Sequence, residues 1–236
     1  MIPFRYYFTE EKCMDKLVTI DGPSGVGKGT ISRLLAKHLG WEWLDSGALY
    51  RLTALHAQQL ALDLDDPIAV SKAAQQLPAI FEIDDQDHPV VLLGSAVVTD
   101  AIRSEQCGNN ASKIAAYPKV REALLQRQRD FLTDKGLVAD GRDMGTVVFP
   151  DAPVKIFLTA SAEVRAQRRF KQLQHQGVHA HLKEIQADIE ARDLRDRTRA
   201  IAPLVPAEDA EIIDTSETTV EQVFQRVFQR IKHHFK

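Results

Sequence analysis

The run Gly22-Pro23-Ser24-Gly25-Val26-Gly27-Lys28-Gly29-Thr30 constrains this chain more than any other feature. It follows Leu17 to Asp21, an apolar stretch of buried-strand length, and leads into Lys28 to Leu39, where Ile31, Leu34, Leu35 and Leu39 recur at helical spacing. A strand that turns through glycines into a helix aims the turn's backbone N–H groups and the positive helix N-terminus at one spot, where an anion finds unsatisfied donors. Lys28 adds a cation able to follow a transferring phosphoryl group, so Gly22 to Thr30 are assigned to nucleotide phosphates. The pattern departs from GxxxxGK[ST] at Gly29. The hydroxyl comes one residue later, at Thr30, which becomes the candidate Mg2+ contact.

The alternation continues along the chain. Ser46 to Leu60 and Lys119 to Leu132 read as helices, Leu137 to Asp140 and Val154 to Leu158 as buried strands. Two charged helices, Ser161 to Gln176 and His181 to Arg199, flank Gly177; Glu211 to Asp214 reads as a last strand and Thr218 to Phe235 as an amphipathic helix. This order predicts an α/β fold with a parallel sheet flanked by helices. Between about Asp63 and Tyr117 the pattern changes: a helix opening at Pro67 is followed by Ile80 to Ile83 and Val90 to Leu93, separated by the turn-rich Asp84-Asp85-Gln86-Asp87-His88-Pro89. The expected organisation is one domain over 16–236, with core 16–62 and 118–236, an inserted subdomain 63–117 and a helical lid at about 165–195. Residues 1–15 carry Phe4, Tyr6, Tyr7 and Phe8 and are expected to form a disordered extension, with Met14 as an alternative start.

Composition excludes several classes. A chain of 236 residues, 44% hydrophobic and 27% charged, is large enough to bury one substantial core. A net charge of −3 lacks the basic excess needed for nucleic-acid backbone, so anion sites must be local and no nucleic-acid partner is expected. Cys13 and Cys107 have neither CxxC spacing nor a histidine pattern for zinc, which fits a reduced cytoplasmic setting. No apolar run approaches the roughly 20 residues that cross a bilayer, and residues 1–15 lack a signal peptide's continuous apolar core. A monomer is expected.

Several polar residues stand where ligands could be held. Arg51 lies shortly after Ser46 near a helix start, so hydroxyl and guanidinium can approach one phosphate. Asp140, Arg142 and Asp143 follow a strand end, where open α/β sheets place ligand-binding groups, and two acids around one arginine can fix its fork. Arg192, Asp196 and Arg199 recur at i, i+4 and i+7 and would share one helix face. Singly, each has a plainer reading as a solvated charge or a weak surface ion pair. Ser112 and Arg121 say little alone.

Four motifs, GPSGVGKGT, LDSGALYR at Leu44 to Arg51, DGRDMGTVVFPDAPVKIFL at Asp140 to Leu158 and RDLRDRTRAIAPL at Arg192 to Leu204, together resemble the bacterial cytidylate kinase family, in matching order from about Lys16 onward. The resemblance implies a P-loop NTPase-type sheet, a nucleoside-monophosphate-binding insert, ATP with Mg2+ as donor, and CMP or dCMP as acceptor. By the same resemblance Lys28, Arg142 and Arg199 are the catalytic cations, and Ser46, Arg51 and Arg142 bind the acceptor phosphate. Asp140 belongs to the same acceptor site. Asp143, with Ser112 and Arg121, would read the cytosine edge; Arg192 and Asp196 would hold the acceptor sugar; Arg165, Arg168 and Arg169 would belong to the lid arm. Lid closure, with Gly177 as hinge, would suppress ATP hydrolysis. No general base is required, because a monophosphate oxygen is already ionised at neutral pH. Two alternatives stay open: another acceptor, such as UMP, AMP or shikimate, or a nucleotide-binding switch that transfers nothing. The switch predicts an NKxD-like guanine tetrad, which the sequence lacks.

Overall fold

β1 (Leu17–Asp21) runs through the glycine-rich loop into α1 (Lys28–Leu39), followed by β2 (Glu42–Asp45) and α2 (Ser46–Gln59). The insert comes next: α3 (Pro67–Gln75), β3 (Ala79–Ile83), β4 (Pro89–Leu93), β5 (Ala96–Val97), a 3-10 turn (Ala101–Arg103) and α4 (Glu105–Ile114). The chain returns through α5 (Pro118–Arg129), β6 (Leu137–Gly141), a π-helical turn (Met144–Val148) and β7 (Val154–Thr159). It ends with α6 (Ala162–His175), α7 (Leu182–Thr198), β8 (Glu211–Asp214) and α8 (Val220–His234). The computed structural model describes residues 15–83, 89–175 and 177–235; the expectations for residues 1–14, including a start at Met14, and for the turn at 84–88 lie outside the described residues.

Five strands form a parallel sheet in the order β2-β6-β1-β7-β8. β1 is buried at every position because β6 and β7 flank it and both faces are covered, which is why it reads as a continuous apolar run. Its side chains alternate between two cores. Leu17, with Leu137 and Ala139, joins a core built with α2, α3, α4 and α5. Val18 and Ile20, with Val138, Ile156 and Leu158, join a second core with α1 and α8. The result is the doubly covered α/β sheet that the sequence predicts. Among the described residues no helix is long and apolar enough to cross a membrane.

The insert carries its own antiparallel sheet, β3-β4-β5. Arg127 on α5 fastens it to the core, donating to the carbonyls of Leu77 at 2.5 Å and Ala79 at 2.7 Å. The sequence left β2 and α4 unread, along with the short β5, the 3-10 turn and the π-helical turn. β2 is a four-residue edge strand in which only Leu44 is buried, too short and polar to signal itself. α4 is rich in polar residues, yet it buries Cys107, Ala111 and Ile114 in the core that α2 also lines.

Candidate active site

The glycine-rich loop leaves the carboxyl end of β1 against the backbone of Leu158 in β7. Gly22 has φ +148°, and a Cβ there would lie 2.1 Å from the Leu158 carbonyl oxygen, so the loop can leave the sheet only through glycine. Lys28, at the first position of α1, is buried and donates to the Pro23 carbonyl at 2.7 Å, folded back onto its own loop.

The loop is braced from behind. Arg165 on α6 is buried and donates to both carboxylate oxygens of Asp193 on α7, at 3.1 and 2.5 Å, and to the Ser24 carbonyl at 3.1 Å. Arg168 donates to Thr215 Oγ1 at 3.2 Å, and Thr215 in turn donates to the Val26 carbonyl at 3.1 Å. Arg169 pairs with Glu105 at 2.6 Å, linking α6 to α4. All three arginines sought on the lid arm thus have partners, and two of them lead directly or through one hydroxyl to the backbone of the phosphate loop.

The remaining polar candidates converge from five separate parts of the chain. Asp143 receives Arg121 of α5 on one oxygen, and Arg199 stands 3.5 Å from the other; all three side chains are buried. Asp196 accepts from Ser112 Oγ at 2.9 Å and from Arg142 Nε at 2.9 Å. Ser46 donates to Gln128 at 2.7 Å, and Arg51 donates to the carbonyls of Ile102 at 2.6 Å and Ser104 at 3.3 Å. Ser46, Ser112, Arg121, Asp143, Asp196 and Arg199 line a cavity of about 50 Å³. It adjoins a cleft of about 740 Å³ in which Lys28, Asp140, Arg51, Arg142 and Arg192 face one another.

Two local expectations are corrected. The predicted fork of Asp140 and Asp143 around Arg142 does not form. Asp140 is still inside β6 and accepts from Trp43 Nε1 at 2.9 Å, Asp143 turns to Arg121, and Arg142 reaches Asp196 instead. Arg199 does not continue the face of Arg192 and Asp196, because α7 stops at Thr198; Arg199 is extended, with ψ 139°, and donates to the Ala202 carbonyl at 2.5 Å. It reaches the cluster from the loop.

A family model described as cytidylate kinase matches residues 18–233. The chain belongs to the cytidylate kinase family. It is 55% identical over 210 residues to a cytidylate kinase of Shewanella sp. (strain MR-4), covering 89% of this chain and 91% of the relative. A cytidylate kinase of Haemophilus ducreyi (strain 35000HP) is 54% identical over 215 residues, covering 91% and 96%. One from Pasteurella multocida (strain Pm70) is 52% identical over 218 residues, covering 92% and 96%.

This cytidylate kinase family member keeps its cleft electrostatically poised. Burial raises Asp140 to about 7, with the Asp45 carboxylate adding to the effect, and raises Asp21 to about 6 although it accepts the N–H groups of Met144 and Gly145 at 2.8 Å each. Burial and the nearby Arg142 guanidinium lower Lys28 to about 7. A bound polyphosphate stabilises the ammonium and disfavours the carboxylate, so both groups bind protons more tightly in the complex. The sign follows: ATP without metal is taken up with protons above pH 7, and its affinity weakens as pH rises from 7 toward 9. Calorimetry at pH 8 in HEPES and in Tris is expected to give apparent enthalpies differing in the sense of net proton uptake, and equal enthalpies would exclude the coupling. Adding Mg2+ is expected to reduce the uptake.

The donor set fits that ion. Thr30, Asp45 and Asp140 line the cleft with oxygen donors only, and a carboxylate held near neutrality by burial gains its charge back beside a divalent cation. Among the described residues there is no cluster of three or more acids, histidines or cysteines that could hold a metal ion.

Sequence reasoning missed Gln128, the buried anchor of Ser46, and Gly108. A Cβ at Gly108 would lie 3.0 Å from both Arg192 Nη1 and Arg51 Nη2, so this helical glycine makes room for two guanidinium groups. A glycine inside a helix was the available signal. Gly108→Ala is expected to split stability from activity: alanine favours the helix by up to about 1 kcal/mol, while the displaced guanidinium groups raise the acceptor KM about tenfold. Thermal melting and acceptor kinetics check both signs.

Proposed function

We propose that this chain transfers the γ-phosphoryl group of ATP to CMP or dCMP, giving ADP and CDP or dCDP. The observation that carries the reading is the buried Asp143, flanked by Arg121 and Arg199, in a small cavity beside a cleft lined by Arg51, Arg142, Arg192 and Lys28. A carboxylate oxygen accepts the exocyclic amine of cytosine, and uracil offers an acceptor there instead. The acceptor phosphate then falls toward Arg51, Arg142 and Ser46, with the sugar near Arg192 and Asp196.

The residues act mainly by position and charge. Loop N–H groups from Ser24 to Gly29 hold the donor phosphates, Lys28 moves with the transferring group, and Arg142 and Arg199 stabilise charge as the bond to the leaving oxygen lengthens. Mg2+, when bound, neutralises the phosphate oxygens and would be held by Thr30 with Asp140 and Asp45 nearby. The insert over 63–117 serves the acceptor, and the arm over about 165–195 excludes water on closing. Gly177, at φ +72° with open space around its Cα, provides the turn for that motion. The working unit is a cytoplasmic monomer.

An ADP-release assay with ATP and Mg2+ against CMP, dCMP, UMP, AMP and GMP, with an acceptor-free control, tests the reading. Turnover confined to CMP and dCMP is expected. Preference for another monophosphate would keep the kinase and remove the base-reading role of Asp143, and nucleotide binding without turnover would leave only the switch.

A further inference from the structure

The cleft is lined by more cations than the phosphate reading has used, and they differ in how far they are already neutralised. Arg142 is paired with Asp196, and Lys28 faces the acidic floor. Arg103, in the 3-10 turn of the insert, lines the same cleft and is exposed; its backbone N–H donates to the Asp100 carbonyl at 3.0 Å, and its guanidinium has no hydrogen-bond or ion-pair partner among the described residues.

Its placement is not loose. Ile102 is buried in the core shared with α2, which turns the next side chain outward to the cleft. Arg51 Nη1 donates to the carbonyls of Ile102 and Ser104, the residues on either side of Arg103. Ser104 then caps α4, accepting from the Cys107 N–H at 3.2 Å. The turn is therefore locked to the arginine read as the acceptor-phosphate ligand, and wherever Arg51 goes Arg103 goes beside it.

We propose that Arg103 is a further phosphate-contacting residue, supplied by the insert and directed at the acceptor phosphate next to Arg51; this rests on the acceptor reading above. A phosphate dianion gains from a further guanidinium that no carboxylate among the described residues pairs with, and the planar guanidinium fork can meet two phosphate oxygens at once. Because Arg103 rides on the insert, the contact couples acceptor binding to movement of the insert toward the phosphate loop.

The test is steady-state kinetics of the full chain with ATP and CMP for the wild type, Arg103→Met and Arg103→Lys, beside thermal melts. Arg103→Met is expected to lower kcat/KM for CMP about 10–100-fold, mostly through KM, with the ATP KM and the melting temperature unchanged. Arg103→Lys is expected to recover part of the loss, and the CMP-to-UMP preference to stay the same, since the base is not touched. Wild-type kinetics in Arg103→Met overturn the inference alone. So does a lysine variant as impaired as the methionine one with a lowered melting temperature, which marks a structural role. A wild type inactive with every monophosphate overturns the acceptor reading and this inference with it.

Discussion

Lys28→Met folds as the wild type does and loses phosphoryl transfer by about 10³-fold or more, roughly 4 kcal/mol of transition-state stabilisation. The two halves of this expectation come from the same side chain. Lys28 is buried and its ammonium is disfavoured, chiefly by burial and next by the nearby Arg142 guanidinium. A methionine of similar length removes that cost, and the one bond it gives up is to the Pro23 carbonyl. The melting temperature is therefore expected to hold or rise. Once nucleotide binds, the reverse applies: the ammonium is the compact charge at the transferring group, and among the described residues no other lysine lines the cleft. Kinetics and a melt on one preparation decide it. Near wild-type turnover would remove Lys28 from the chemistry, whereas an unfolded variant would show that its charge sustains the fold.

The legible part of this molecule is the part whose causes are local. A strand, a glycine turn and a helix N-terminus follow one another within Leu17 to Leu39, and each is dictated by neighbours in sequence: apolar residues for a doubly covered strand, a left-handed or sterically closed backbone at Gly22, Gly25 and Gly27, then helical periodicity. The helices and strands of the core follow for the same reason. The pairings inside the site were not legible, because they join distant residues: Arg121 with Asp143, Ser112 and Arg142 with Asp196, Ser46 with Gln128. A sequence motif places Arg142 between two acids, but strand β6 carries Asp140 inward to Trp43 and the following turn sends Asp143 to α5. Arg165 shows the same limit. The family resemblance implies a place on the lid arm, and only the packing of α6 against α7 buries it as the brace of the phosphate loop.

Asp143→Asn is expected to be the most damaging substitution in the acceptor pocket, through stability and specificity at once. Asp143 is 4% exposed and is the counterion of Arg121, 8% exposed, and of Arg199, 5% exposed. Neutralising it leaves two buried guanidinium groups facing an amide, and removing one partner of a buried ion pair costs about 3–5 kcal/mol. Asparagine keeps the volume and one carbonyl oxygen, so this loss is electrostatic rather than a cavity. The specificity effect is separate. A carboxylate offers only acceptors to the base edge, which suits an amine and repels a carbonyl; the amide offers a donor as well, so uracil is no longer penalised. The CMP-to-UMP ratio of kcat/KM is expected to fall about tenfold or more, while the ATP KM stays within about twofold. Measured at a temperature where the variant is folded, the ratio separates the two roles. A destabilised variant with an unchanged ratio would make Asp143 only the counterion that holds Arg121 and Arg199 in place, and base reading would then have to come from Ser112 and the arginines themselves.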